Sequence, residues 1–257
     1  MTTNNVQRVL VTAGAGGIGR AIAMAFVSAG ARVHVCDIDV SALDALRAQL
    51  PGISTSVCDI ADRVAVQAMV QQATDTLGGL DVLVNNAGIA GPAASVEDMD
   101  PQAWEAVLRV NLTGTFTVTQ AAIAHLKRSP AASIIVMSSL AGRFGYPNRS
   151  PYSTTKWGLI GFTKSLSREL GEFGIRVNAI LPGAVEGPRL QQVFEGRASV
   201  SGRSVAQEEA AALANQSLKR FVDPADIAAM AVFLASDAGR SISGQMLSID
   251  GDSQSAS

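Results

Sequence analysis

Residues 8–19, Arg8-Val9-Leu10-Val11-Thr12-Ala13-Gly14-Ala15-Gly16-Gly17-Ile18-Gly19, decide the fold. The first five form a short apolar run, which reads as a strand buried on both faces. The glycines that follow mark a tight turn, and the stretch 17–29 carries helical periodicity. Gly14, Gly16 and Gly19 have the Gly-x-Gly-x-x-Gly spacing. Between a strand and a helix, such glycines let the backbone approach a pyrophosphate closely. The helix start, with Gly17 and Ile18 in its first turn, then offers free N–H groups and the positive end of its dipole. A glycine turn made only for packing is the plainer alternative.

The same alternation continues outward to the end of the chain. Apolar strands are predicted at 32–36, 53–57, 80–84, 133–137, 175–180 and 246–249, with helices at 40–49, 63–77, 101–127, 152–172 and 224–236. Continuous apolar strands separated by amphipathic helices require a parallel sheet covered on both faces. The predicted architecture is a single α/β domain over 1–257, doubly wound around a seven-stranded parallel sheet. Residues 183–218 interrupt the pattern with several glycines and arginines and weak periodicity. They are expected to form a helical lid over the substrate, a surface loop being the alternative.

Composition narrows the setting. The chain has 257 residues, 47% of them hydrophobic, and a formal net charge of −2. That balance gives no footprint for nucleic acid or an acidic membrane surface. Neither a signal peptide nor a membrane-spanning run is expected, so the predicted location is cytoplasmic. Two cysteines, Cys36 and Cys58, and two histidines, His34 and His125, are too few for a cysteine/histidine metal site. No metal is expected. The cysteines read as buried free thiols; a redox pair is the other reading, since both end strands that can be neighbours.

Asp37 ends the second predicted strand, 18 residues after Gly19. An acid there can accept hydrogen bonds from adenosine ribose hydroxyls, and it repels a 2′-phosphate. Ile38, Asp39 and Val40 follow it, without a nearby cation. The expected cofactor is therefore NAD and not NADP. Asp37 capping the next helix is the alternative. Asp59, with Ile60 beside it after the third strand, is a second candidate contact, at the adenine edge.

A second constellation is Ser150-Pro151-Tyr152-Ser153-Thr154-Thr155-Lys156. Ser150 suits an N-cap and Pro151 a first helical position. Tyr152 and Lys156, four apart, then share a helix face. A neighbouring ammonium favours phenolate and pulls a tyrosine pKa down from about 10, toward use as a proton donor or acceptor.

Together these pieces resemble the short-chain dehydrogenase/reductase family over nearly the whole chain. The resemblance rests on the glycine loop, Asn85-Asn86-Ala87-Gly88 after the fourth strand, Asn111 in the long helix, Ser139 13 residues before Tyr152, Pro182-Gly183 and Asp250-Gly251. It implies a Rossmann fold and roles residue by residue. Tyr152 is expected as general acid/base, Ser139 as hydrogen-bond partner of the substrate oxygen, and Lys156 on the nicotinamide ribose. Asn111 is expected to hold a water that relays protons from Lys156. Asn86, Ala87, Gly88, Pro182, Gly183 and Val185 fall on the cofactor side. A homo-oligomer, favoured as a tetramer, built on the 101–127 and 152–172 helices is also implied.

Three departures from the family pattern stand out. Ala13 replaces the first loop glycine, and a Cβ there is expected to require a negative φ. Gly187 replaces a threonine that often holds the nicotinamide amide, a task the Val185 backbone can take over. The closing Asp-Gly-Gly is Asp250-Gly251-Asp252.

The substrate pocket is expected beyond the strand C-termini, where Arg143, Arg149, Glu186 and Arg189 fall, with Arg197 and Arg203 further into the lid. Guanidinium groups suggest a small anionic polar substrate, a hydroxy acid above others. Asn148-Arg149 before Tyr152 resembles the corresponding stretch of 3-hydroxybutyrate dehydrogenases. Phe144, Tyr146 and Trp157 are candidate pocket aromatics. A sugar or polyol, with Glu186 on a hydroxyl, a carbonyl reductase, and a dinucleotide-binding sensor without turnover are the alternatives.

Overall fold

The structure is a computed structural model that describes residues 6–256. Its strands are β1 (Arg8–Thr12), β2 (Arg32–Asp37), β3 (Ser54–Val57), β4 (Val82–Asn85), β5 (Ser133–Met137), β6 (Arg176–Pro182) and β7 (Met246–Ile249). The seven strands are parallel and pair in the order β3-β2-β1-β4-β5-β6-β7. Chain order reverses between β1 and β4, paired through Val9–Val82 and Val11–Val84. That reversal opens a crevice at the strand C-termini, where ligands bind in such sheets.

Side chains alternate between two cores, as strand geometry dictates. Val9 and Val11 pack with Ile22 and Phe26 of α1 (Gly17–Ser28), Leu43 and Leu46 of α2 (Val40–Gln49), and Ala231 and Leu234 of α9 (Pro224–Ala235). Leu10 faces the other way, with Met69 and Val70 of α3 (Arg63–Leu77), Val118 and Leu126 of α5 (Thr115–Leu126), and Leu159 and Leu166 of α6 (Ser150–Glu169). Asp39, Asp62 and Asp223 cap α2, α3 and α9 by accepting first-turn N–H bonds.

The long helix expected over 101–127 is broken in the middle. α4 (Pro101–Leu108) passes through a π-helical stretch, Arg109–Gly114, before α5 resumes. Thr115, Thr117 and Thr119 donate hydroxyl bonds to the carbonyls of Asn111, Thr113 and Thr115. Gly114 lies so close to Ile60 that a Cβ would come within 2.8 Å of its side chain. The wide turn carries Asn111 inward to full burial, and π turns of this kind recur at functional sites. α6 begins at Ser150, the residue expected to be its N-cap, so Arg149 takes the N-cap position and Pro151 falls in the first turn. The irregular 183–218 segment contains two helices, α7 (Pro188–Ser201) and α8 (Val205–Ala214), the latter closed by a Ser204–Gln207 capping box.

His34 is fully buried in β2, its ring nitrogens bonded to Ser54 at 2.9 Å and Ser56 at 2.8 Å. Burial lowers its pKa from 6.5 to about 4. Between those values the unfolded chain holds a proton that the folded chain lacks. Acidification from pH 6.5 toward 4 therefore favours unfolding, by up to about 3 kcal/mol. Urea midpoints measured across this window should fall with pH in the parent and fall less in His34→Gln.

Cys36 and Cys58 are buried and free. They meet as a thiol pair, and hydrogen bonding to Cys58 together with burial raises the Cys36 thiol well above its usual range.

Candidate active site

The glycine loop joins β1 to α1 at the crevice. A Cβ on Gly14 would sit 2.8 Å from Val35, and one on Gly19 would collide with the Ala13 carbonyl and the Asn86 carboxamide. Gly16 and Gly17 face open space instead. Gly16 caps α1 without a side-chain bond, and the first turn holds no acidic residue. Free N–H groups, a positive dipole end and room for close approach together fit a pyrophosphate.

Asp37 is held in place by three backbone donors: Ala15 at 3.1 Å, Ile38 at 2.8 Å and Asp39 at 3.2 Å. The helix-capping role falls to Asp39, whose carboxylate accepts from Ala42. Asp37 is thus freed for a ligand at the end of β2. Asp59 accepts from Ala61, while the Ile60 side chain is buried against Gly114.

Asn86 ties the loop after β4 to the glycine loop. Its carboxamide donates to the carbonyls of Thr12 and Ala13, while the Thr12 hydroxyl accepts from the backbones of Asn86 and Ala87. This cross-tie rotates Ala13 into the left-handed region, φ +48°. A negative φ was expected there, and the structure overturns it: the chain keeps a glycine conformation and tolerates the Cβ. Left-handed geometry costs a non-glycine residue about 1–2 kcal/mol. Ala13→Gly should therefore raise stability by about 0.5–1 kcal/mol after the added freedom of the unfolded chain is subtracted. A lower melting temperature would contradict the left-handed loop.

At the opposite edge of the crevice, a Cβ on Gly183 would come within 2.8 Å of Asp250. Val185 bridges Val222 through bonds made by its neighbours, Glu186 N–H to Val222 and Val222 N–H to Ala184. In a parallel bridge this turns the polar groups of Val185 itself the other way, away from Val222. Gly187 has φ +136° and ψ 175°, a region essentially confined to glycine. A threonine could not take this backbone without strain, which gives the sequence departure a conformational reason.

The catalytic candidates gather between β5, the π turn and α6. Ser138 and Ser139 are adjacent but differ in task. Ser138 is buried and donates to the Lys156 carbonyl at 2.8 Å, whereas Ser139 is half-buried and accepts from Ala141 N–H at 3.1 Å. The Ser139 hydroxyl hydrogen is left to donate into the cleft. Ser153 donates to Ala141 and completes the tie between this turn and α6. Gly142 is required here, since a Cβ would strike Ser138 and the Lys156 backbone.

Lys156 is buried, its ammonium donating to the Met137 carbonyl at 2.8 Å and lying 5.5 Å from the centre of the Tyr152 ring. Burial, with the positive charge of Arg189 as the lesser cause, lowers its pKa to about 7. Gly88 lies against this ammonium and the Asn111 carboxamide, at 3.6 Å and 3.2 Å from where a Cβ would be. Asn111 is fully engaged. Its side chain accepts from Ile89 N–H and donates to the Ile89 carbonyl and the Thr155 hydroxyl. Thr155, which the sequence did not single out, also donates to the Tyr152 carbonyl at 2.7 Å.

The arginines separate. Arg149 donates to the Gly91 carbonyl at 2.8 Å and Arg189 to the Gly88 carbonyl at 3.4 Å, both on the loop after β4. Arg143 reaches instead to Ser248 on edge strand β7, away from these two. Glu186 is exposed. Arg203 pairs with Glu208, and Arg197 donates to the Tyr146 hydroxyl. Among the aromatics, Tyr146 lies beside Tyr152, whereas Trp157 is half exposed on the outer flank of α6. Among the described residues no cluster of histidine, cysteine or carboxylate groups could hold a metal ion, and no helix is long and apolar enough to cross a membrane.

A family model described as enoyl-(acyl carrier protein) reductase matches residues 13–251. The 3-oxoacyl-[acyl-carrier-protein] reductase FabG of Thermotoga maritima is 37% identical over 246 residues, covering 94% of this chain and 95% of that protein. The D-beta-hydroxybutyrate dehydrogenase of Cupriavidus necator is 36% identical over 254 residues, covering 96% and 97%. Among solved structures, a variant of actinorhodin polyketide ketoreductase with NADPH superposes with a TM-score of 0.90 at 32% identity, covering 98% of each chain. An NAD+-bound xylitol dehydrogenase gives a TM-score of 0.90 at 28% identity, covering 97% of this chain and 100% of that one. Sequence, sheet order and the placement of Tyr152 and Lys156 converge on one conclusion: this chain belongs to the short-chain dehydrogenase/reductase family and is an oxidoreductase that acts with a nicotinamide cofactor on hydroxyl or keto groups.

Proposed function

We propose that the enzyme is NAD-dependent and oxidises a small anionic hydroxy compound, a hydroxy acid above others. The observation that carries the cofactor choice is Asp37, fixed by three N–H bonds at the end of β2 and released from any capping duty. A carboxylate so placed attracts ribose hydroxyls and repels a 2′-phosphate. The anionic substrate rests on Arg149 and Arg189. Each sits on a backbone carbonyl, with no carboxylate within ion-pair distance among the described residues.

The cofactor, when bound, supplies the hydride chemistry. Gly14, Gly16, Gly17, Ile18 and Gly19 would hold its pyrophosphate, and Asn86, Ala87, Gly88, Pro182, Gly183 and Val185 would line its nicotinamide half. Asp59 and the Ile60 backbone would meet the adenine. The Tyr152 hydroxyl takes the proton from the substrate hydroxyl, or returns it in the reductive direction. Ser139 donates a hydrogen bond to the same oxygen and steadies its developing charge. Lys156 supplies positive charge behind Tyr152 and would hold the nicotinamide ribose. Asn111 fixes the loop at Ile89 against α6 and is the candidate for the water relay toward solvent.

We further propose a cytoplasmic homotetramer. The outer faces of α5 and α6, where Phe116 and Trp157 are exposed and Phe116 meets Phe162 edge-on, would bury against neighbouring copies. Sedimentation of the purified protein tests this, and a monomer at micromolar concentration would exclude it.

The functional test is NADH formation with NAD, then NADP, across 3-hydroxy acids, sugars, polyols and neutral secondary alcohols. Turnover with NAD on acids is expected. Preference for NADP would overturn the Asp37 assignment. Turnover confined to sugars or polyols would overturn the anion site and leave the catalytic residues in place.

A further inference from the structure

Tyr146 precedes Tyr152 by six residues, in the loop that leads into α6. The two rings meet edge-on, with centroids 6.4 Å apart and planes at 74°. The Tyr146 hydroxyl accepts a hydrogen bond from Arg197 Nη2 at 2.8 Å, and the same guanidinium lies 5.4 Å from the Tyr146 ring centre. Arg197 belongs to α7, where Phe194 is fully buried and packs on Phe221 at 5.6 Å. The guanidinium also covers Phe194, at 5.8 Å.

A third partner comes from beyond β7. The segment after Gly251 runs back along the end of α8. Ser253 bridges Gln216, Gln254 N–H donates to the Asn215 carbonyl at 3.0 Å, and the Asn215 carboxamide donates to Ser255. It brings the Ala256 carbonyl within 3.4 Å of Arg197 Nη2. One half-buried guanidinium thus joins α7, the C-terminal segment and the ring beside Tyr152. Among the described residues no carboxylate lies within ion-pair distance of it. Its donors serve a phenol oxygen and a carbonyl instead.

We propose that Arg197 is the latch of the α7–α8 segment, and that Tyr146 is a positioning residue through which the latch sets the ring of Tyr152. The idea rests on Tyr152 being the proton-transfer group. A charge-assisted hydrogen bond and a cation–π contact hold Tyr146 from one side. Tyr146 in turn supplies the edge against which the Tyr152 ring stands. Lifting α7 withdraws the guanidinium, frees Tyr146 and removes that edge. The proton-transfer ring is then correctly walled only when the segment is closed.

The chain contains two tyrosines, which makes the coupling directly visible. Ring-13C-tyrosine labelling gives two sets of NMR signals, and Tyr146→Phe assigns the Tyr152 set. Arg197→Met keeps a flexible apolar stem over Phe194 and removes every donor. In that variant the Tyr152 signals are expected to shift or broaden, although Tyr146 stands between the two residues. Arg197→Lys should restore them part of the way. The α7 amides should exchange with solvent about tenfold faster or more. Tyr152 signals that superimpose on the parent in Arg197→Met, while those of Tyr146 move, would overturn the proposal. Should Arg197→Met fail to fold, Tyr146→Phe decides, because it removes only the accepting hydroxyl. Faster α7 exchange supports the latch, and unchanged exchange overturns it. None of these readouts needs turnover, so failure of the latch shows in the tyrosine spectrum and failure of the catalytic reading in the substrate panel.

Discussion

Tyr152→Phe is expected to lower turnover by about 10²–10⁴-fold while the nicotinamide cofactor still binds. The substitution removes one oxygen and leaves the ring, with its edge contact to Tyr146 and its place over the Lys156 ammonium. The glycine loop, Asp37 and the Asn86 cross-tie are on other elements and remain intact. Proton transfer to or from the substrate oxygen loses its agent, whereas pyrophosphate and ribose binding do not. Stopped-flow turnover alongside NAD titration by calorimetry separates the two. Undiminished turnover would remove Tyr152 from the mechanism. Equal loss of binding and turnover would mean that the hydroxyl serves cofactor binding and is not confined to proton transfer.

Lys156→Met is expected to do two opposite things. Turnover should fall by about two orders of magnitude or more, because the charge behind Tyr152 and the ribose contact are lost together. Stability should rise. The ammonium is buried with the Met137 carbonyl as its hydrogen-bond acceptor, and burial brings its pKa from 10.5 to about 7. Between pH 7 and 10.5 the unfolded chain carries a proton that the folded chain has shed, so the parent gains stability as pH rises through that window. Below pH 7 the full cost of keeping the charge buried is present, up to about 4–5 kcal/mol. Methionine has no charge to bury. Urea denaturation at pH 7 should show Lys156→Met more stable than the parent, and the difference should shrink toward pH 10. A destabilised variant at pH 7 would mean that the ammonium has better partners than the Met137 carbonyl.

Much of this site was legible because the strands are buried on both faces. Val9-Leu10-Val11 and Ile134-Ile135-Val136 admit no polar alternation, so strands, crossover helices and sheet type follow from them. The glycine spacing and the Tyr152–Lys156 pair are local along the chain, and they fall where expected. What escaped is set by contacts between distant segments. The sign of φ at Ala13 depends on Asn86, 73 residues away, pulling on two carbonyls of the loop. The π turn at Asn111 depends on Ile60 against Gly114 and on Ile89 and Thr155 around the carboxamide. Helical periodicity continues through the break, so nothing in 101–127 marks it. Arginines in loops carry no directional signal either. Arg143 and Arg149 are six apart, yet one turns to β7 and the other to the loop after β4.

The sheet order also constrains how the protein comes into being. β1 finds β4 through Val9 and Val82, and β6 finds β7 through Ala179 and Met246, with α7, α8 and α9 lying between the last two in sequence. Each pairing must close a long stretch of chain before its hydrogen bonds and burial compensate for the lost entropy. Parallel sheets of such non-local contacts fold slowly. On a ribosome, β5 and α6 emerge with Tyr152 and Lys156 in hand, but β7 and the segment that reaches Arg197 come later. The unpaired edge of β6 is exposed in the meantime, and it is there that a nascent chain is most open to misassembly with another copy.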